Sequence, residues 1–390
     1  MMMRNDSKII SNMFTLLIMI SCAIAFFTVI KQYNVVSLLF AISFVVIFCR
    51  IFMLYKSCSM NIAFILLIGV TVVNVIINCL VNDGEFSVMY MRKLVMFLCF
   101  CFLQYYAAFS EYKFSPRTIC LIENIPVLVG VFFVVSYYLF GNTERIAGGI
   151  ILGFSNPNFT GMWLFHFFLY GFYFMYNNLK KNKWCLLYIP FIVAIINLII
   201  ESLTRSCLIS ILIFAVLIFW TGILKRKINK IILFVIVFFP IIYMIIYMNV
   251  VNSEWFENMF SFVISEGKSL KSRLYIWSRS LKFFYKSPIL GDYFGISSGT
   301  GQSQLHNTHL DILCSYGIVT LVLYIKLLFD VILRTYDNVK NISNNILFCA
   351  FCATIIQGSF EAAIVSGSMG LNYLTIGFLV LINRKGTKNV

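Results

Sequence analysis

Residues 269–310 read SLKSRLYIWSRSLKFFYKSPILGDYFGISSGTGQSQLHNTHL, the one long polar interruption in a chain that is otherwise soluble in lipid. Leu270, Leu274, Trp277, Leu281 and Phe284 recur at helical spacing, and Lys271, Arg273, Arg279, Lys282 and Lys286 fall largely between them. The segment therefore reads as a helix with one apolar and one cationic face, the pattern of an interface helix. Pro288 stops it, Gly291, Gly295, Gly299 and Gly301 read as a mobile connection, and His306-Asn307 opens a new apolar run.

Outward from this stretch the sequence is apolar almost end to end. Of 390 residues, 61% are hydrophobic and 12% charged, and the mean hydropathy is +0.91. Soluble domains hold about 45–50% apolar residues. The expected fold is an all-α, polytopic integral membrane protein of about twelve spans, each needing roughly 20 apolar residues. The runs lie at 11–30, 35–53, 60–81, 94–110, 119–140, 159–176, 184–200, 207–223, 231–249, 306–328, 346–366 and 370–383. Glu361, Ser366-Gly-Ser-Met-Gly370 and Asn372 interrupt the last two, so a re-entrant hairpin is the alternative there. No small-residue cleavage site follows the first run, which is expected to stay as the first span. The chain reads as one transmembrane domain over 1–390, with a loop at 250–305 inserted between spans nine and ten.

The net charge of +15 does not call for nucleic acid, because basic residues beside spans are what membrane topology itself requires. With the N-terminus cytoplasmic, 18 of the 30 Lys and Arg fall on the inner side and five in short outer loops, including Arg92 and Lys93. That asymmetry places both termini inside and the long loop outside. Outer arginines are then anomalous and need another reason. Arg145 in Asn142-Thr-Glu-Arg-Ile-Ala, Arg205 in Glu201-Ser-Leu-Thr-Arg-Ser and Arg273 in Lys271-Ser-Arg-Leu-Tyr all belong to one side.

Guanidinium forks converging at a membrane face suit a phosphate or pyrophosphate, since each offers a planar bidentate donor that lysine cannot match. The competing explanation is that they snorkel toward anionic lipid heads. His306 stands where the arginines gather and is a candidate base for an attacking hydroxyl, with packing at a helix start as the plainer role. His309 lies one turn later, and His166, well inside a span, reads as structural. Glu361 is a second base candidate, because an unpaired carboxylate in the outer half of a span must face a cavity or a partner. Glu201 pairs with Arg205 or Arg145, or takes part in the chemistry. The turn Phe154-Ser-Asn-Pro-Asn-Phe159 shapes a cavity wall. The twelve cysteines lie mostly inside apolar runs without metal-ligand spacing, so they read as small buried hydrophobes, and neither a metal nor a cofactor is expected. Phosphate-loop, zinc-protease and serine-elbow motifs are absent, so the energy for a reaction must come from the substrate.

With these residues in place, the chain resembles the O-antigen polymerase (Wzy-type) and O-antigen ligase family of bacterial envelope polysaccharide synthesis. Four stretches carry the likeness: Arg145 to Gly161, Leu203-Thr-Arg205-Ser, Ser272-Arg273 through Trp277 to Pro288-Ile-Leu-Gly291, and His306-Asn307-Thr-His-Leu310 through Tyr316-Gly317-Ile318. The resemblance implies metal-independent transfer of glycan from an undecaprenyl-pyrophosphate carrier at the outer face of the bacterial inner membrane. Arg205 and Arg273 would hold the pyrophosphate, Arg145 would assist, and His306 would serve the acceptor hydroxyl. The partners implied are the lipid-linked glycan and membrane lipid, with a chain-length regulator protein as a candidate. In a polymerase the acceptor is another lipid-linked repeat unit; in a ligase it is a core sugar on lipid A. Ser206-Cys207 follows Arg205 where ligases usually carry glycine, which favours the polymerase. A flippase for lipid-linked glycans is the rival of another class, and it should carry its cations at the midplane between helical halves.

Overall fold

The computed structural model describes all residues except 1, 55–60, 82–87, 110–113, 180–185, 187, 225–227, 252–270, 302–303, 362–368 and 384–390. Its helices follow the apolar runs: α1 (Met2–Val29), α2 (Tyr33–Leu54), α3 (Ile62–Val81), α4 (Val88–Phe109), α5 (Pro116–Tyr138), α6 (Pro157–Leu179), α7 (Tyr188–Glu201), α8 (Arg205–Ile218) and α9 (Lys230–Val250). Two short helices, α10 (Lys271–Phe284) and α11 (Tyr293–Thr300), precede α12 (Thr308–Asp337), α13 (Ile342–Gln357) and α14 (Met369–Asn383). The one departure from all-α among the described residues is a two-stranded antiparallel ribbon, β1 (Arg145–Ile146) with β2 (Gly149–Ile150). Among the described residues, seven helices are long and apolar enough to cross a membrane, while α2, α7, α13 and α14 are apolar but offer shorter stretches. Much of the 250–305 loop and the interruption at 362–368 lie outside the described residues.

Alternation of these helices brings the ends of α1, α7, α9 and α13 and the starts of α2, α4, α6, α8 and α12 to the same end of the bundle. The helices share one core: α1 packs on α2, α5 and α14, α12 on α3, α4 and α9, and α13 on α8 and α14. Within it His166 ties α6 to α14, its two ring nitrogens lying 2.9 Å from the Met162 carbonyl and 3.0 Å from Thr375 Oγ1. Of the described cysteines all are buried but Cys120.

The interface helix α10 takes its apolar face from the pattern in its sequence, but that face meets protein. Trp277 is fully buried, lies edge-on to Tyr243 and Tyr247 of α9, and donates its indole N–H to the Leu305 carbonyl at 2.7 Å. The glycine-rich connection is not all loop: residues 293–300 are helical. Asp292 accepts from the Gly295 amide at 2.8 Å to cap the start, and Gly301 closes the end in the left-handed region at φ 67.

Two of the resembling stretches interlock. Gly317 breaks the helical geometry of α12 at φ 85, and the segment 288–292 fills the gap: Ile318 N–H donates to Pro288 O at 2.9 Å, and Asp292 N–H to Cys314 O at 2.8 Å. Asn74 and Asn78 of α3 donate to the carbonyls of Tyr316, Ile289 and Leu290, so the backbone groups freed by the kink stay satisfied. A Cβ at Gly317 would sit 1.8 Å from Ile289 O in a backbone region that side chains rarely adopt. Gly317→Ala is expected to destabilise the protein by about 2–3 kcal/mol, from left-handed strain together with a displaced backbone. Thermal unfolding in detergent against wild type measures it.

Candidate functional site

The chain is pinned at His306 and at Glu361 by one asparagine. Asn307, fully buried, caps α12 by accepting from Leu310 N–H at 3.0 Å and donates its amide to Pro240 O of α9 and Ser359 O, at 2.8 and 3.2 Å. Next to it Thr308 N–H donates to Gly358 O at 2.7 Å. These bonds fix the turn at 358–361 against the start of α12. They also end α13 at Gln357, four residues before Glu361, so this carboxylate stands beyond the helix and not within a span as the apolar run implied. A Cβ at Gly358 would approach Thr308 Oγ1 to 2.7 Å, which keeps the two segments in register.

Glu361 is the centre of the site. Its side chain is 6% exposed and receives three donors: Asn158 Nδ2 at 2.9 Å and Arg273 Nη2 at 3.1 Å on Oε1, and His306 Nδ1 at 2.7 Å on Oε2. A buried carboxylate is tolerable when paired and hydrogen-bonded in this way. Arg273 reaches it because Trp277, one turn later on α10, is anchored in the core.

A cavity of about 520 Å³ opens over this centre, lined by Arg205, Ser206, Arg273, Tyr243, Asn158 and Glu361 among others. Arg205 is the first residue of α8, whose N-terminus adds the positive end of the helix dipole. The ribbon β1–β2 forms one wall through Ile146, Ala147 and Gly149. Strained backbone gathers here: of the five non-glycine residues with positive φ among those described, Ala147 and Leu203 line the cavity and His306 bonds to its Glu361.

The sequence-predicted residues are thus partly assembled. Arg205, Arg273 and Glu361 share the cavity and His306 bonds to Glu361. Arg145 does not line it: its guanidinium pairs with Glu201, the second of the two partners expected for that carboxylate, and donates to Gly148 O at 2.8 Å. That pairing raises the Arg145 pKa, as Glu144 raises that of Lys31 at 2.7 Å. Both pairs fasten the ribbon. His309 is buried in the bundle core beside Tyr324, away from the cavity. Sequence reasoning missed Tyr243 and Tyr247, which line the cavity from α9 but in sequence look like any aromatics in an apolar run. It saw the Asn156-Pro-Asn158 turn as a wall and not as a donor to the carboxylate.

The apolar helices, with this polar cavity at their ends, are those of a multi-pass membrane protein. Residues 190–325, from α7 into α12, match the family model described as O-antigen ligase. That region holds Arg205, Arg273 and His306, and leaves Arg145, Asn158 and Glu361 outside it. The match supports the resemblance to O-antigen polymerases and ligases, and an activity of that type in polysaccharide synthesis. No curated protein matches the chain.

Proposed function

We propose that the protein is a polysaccharide polymerase, acting on O-antigen or capsule, that transfers glycan from an undecaprenyl-pyrophosphate carrier to a sugar of another lipid-linked repeat unit. The reaction takes place at the outer face of a bacterial inner membrane. The observation that carries this reading is the joint lining of one cavity by Arg205, Arg273 and a Glu361 carboxylate bonded to His306.

A carboxylate only accepts, so His306 Nδ1–H donates to Glu361 and the neutral ring keeps its lone pair on Nε2. His306 Nε2 takes the proton of the acceptor hydroxyl as its oxygen forms a bond to the anomeric carbon of the donor. The bond from that carbon to the diphosphate oxygen breaks, and Arg205, Arg273 and the α8 N-terminus stabilise the departing charge. The proton then leaves His306 for the released diphosphate or water. Glu361, with Oε1 already occupied by Asn158 and Arg273, orients the imidazole and stabilises its cation, which leaves His306 the base of the two candidates.

The second reading is the ligase, favoured by the description of the matching family. Against it stands Ser206, which lines the cavity at the place where ligases usually carry glycine. Deleting the gene and running the surface polysaccharide on a gel separates the two. A single-repeat band means polymerase; loss of attached polymer with carrier-linked chains intact means ligase. In a purified assay Arg205→Ala or Arg273→Lys should lower transfer about 10- to 100-fold, the worth of one or two charge-assisted hydrogen bonds. Transfer and polymer length unchanged in both variants would refute the pyrophosphate site.

A further inference from the structure

The turn that shapes the first cavity also walls a second one. Ser155 lines both, and on its other side a hollow of about 340 Å³ is bounded by α1, α2, α4 and α6. Phe40, Met96, Phe159 and Trp163 give it apolar walls, while Arg92 and Lys93 from the first turns of α4 supply cations. Lys93 is committed, bonded to Asp311 at 2.7 Å and Ser315 at 2.9 Å, so the charge offered to a ligand is that of the exposed Arg92. The volume falls in the range of small-molecule sites, about 300–1,000 Å³.

The hollow lies beside the reacting centre by chain connectivity on two sides. Gln304 in its lining is two residues before His306, and Ser155 is three residues before Asn158, which donates to Glu361. A guanidinium above aromatic and aliphatic walls is suited to a phosphate attached to an apolar chain, since the fork takes the anion and the walls take the hydrocarbon. Polymerisation brings together two substrates of that chemistry, and Arg205 and Arg273 in the first cavity supply the guanidinium pair for one of them.

We infer that this second cavity holds the lipid-phosphate end of the acceptor substrate, with Arg92 as its anion contact. The inference rests on the proposed polymerase reading and extends it to the second substrate. A ligase acceptor carries its phosphates on lipid A and not on an isoprenoid, so the walls of this cavity would bear on the choice between the two.

Equilibrium binding of radiolabelled farnesyl diphosphate to the full-length protein in detergent tests it by counting sites. Wild type should bind two per chain, Arg92→Glu one, and Arg205→Ala/Arg273→Ala one. Met96→Trp, which fills the hollow and keeps the Arg92 charge, should also remove one site, and it decides the matter where Arg92→Glu fails to fold. Excess phosphatidylglycerol should leave both sites occupied. One site in wild type, two sites retained in both cavity variants, or displacement of the second ligand by phosphatidylglycerol or by inorganic diphosphate alone would overturn the inference. Two sites persisting in Arg205→Ala/Arg273→Ala would instead defeat the donor site, while the Arg92 and Met96 variants still report on this one.

Discussion

Glycan transfer is expected to fall about 100- to 10,000-fold in His306→Ala, the range a positioned general base contributes, and by a similar factor in Glu361→Gln. The geometry explains why glutamine, nearly the same shape, should fail. All three neighbours of Glu361 donate: His306 Nδ1–H, the Arg273 guanidinium and the Asn158 amide. A carboxylate accepts every one of them, whereas glutamine must turn an NH₂ toward at least one donor and also leaves Arg273 without its counterion. Because the carboxylate works through the imidazole, the double variant should be little worse than the poorer single one. Initial rates with a lipid-linked substrate, measured on variants that elute as folded protein, give the three values. Factors that multiply would mean that Glu361 and His306 serve separate steps, and the orienting role would fall.

How much of this was legible in the sequence depended on the range over which each signal acts. Hydropathy is local, and the apolar runs led directly to the helices, with boundaries a few residues off. The exceptions are instructive. The run at 94–110 begins after Lys93 because a lysine ends any hydropathy window, yet α4 starts at Val88 and carries Lys93 inside the bundle. Its partner Asp311 is 218 residues away, so nothing near Lys93 announces that its charge is satisfied. The run at 346–366 overshot because the stop at Gln357 comes from α12, through the bond of Thr308 to the Gly358 carbonyl. Glycines at 291–301 suggested a mobile connection from composition and hid the short helix there, which is capped by Asp292 and preceded by the close approach of Gly291 to the Cys314 carbonyl. For the site, residue types were readable and partnerships were not. Arg273 and His306 meet Glu361 across separations of 88 and 55 residues, and Arg145, similar to them in setting, is taken by Glu201.

Lys93→Met is expected to destabilise the protein by about 3–5 kcal/mol, the penalty of leaving one partner of a buried ion pair uncompensated. The side chains of Lys93 and Asp311 are 6% and 0% exposed, and the pair is 2.7 Å apart. Asp311 Oδ2 has no hydrogen-bond partner among the described residues, so the compensation of this carboxylate falls to Lys93 on Oδ1. Around the pair, Lys93 also holds Ser315, lies over the Tyr293 ring at 5.3 Å, and Tyr293 stacks on Tyr90 at 4.1 Å. One cation thereby joins α4, α11 and α12, the last of which begins next to His306. The cost should belong mainly to the orphaned charge. Lys93→Met/Asp311→Leu, which removes both charges at similar volume, should therefore recover most of the loss, and denaturation in detergent of the two variants beside wild type compares them. A double variant as unstable as Lys93→Met would assign the loss to packing around Tyr90 and Tyr293, and would leave the ion pair with no structural role of its own.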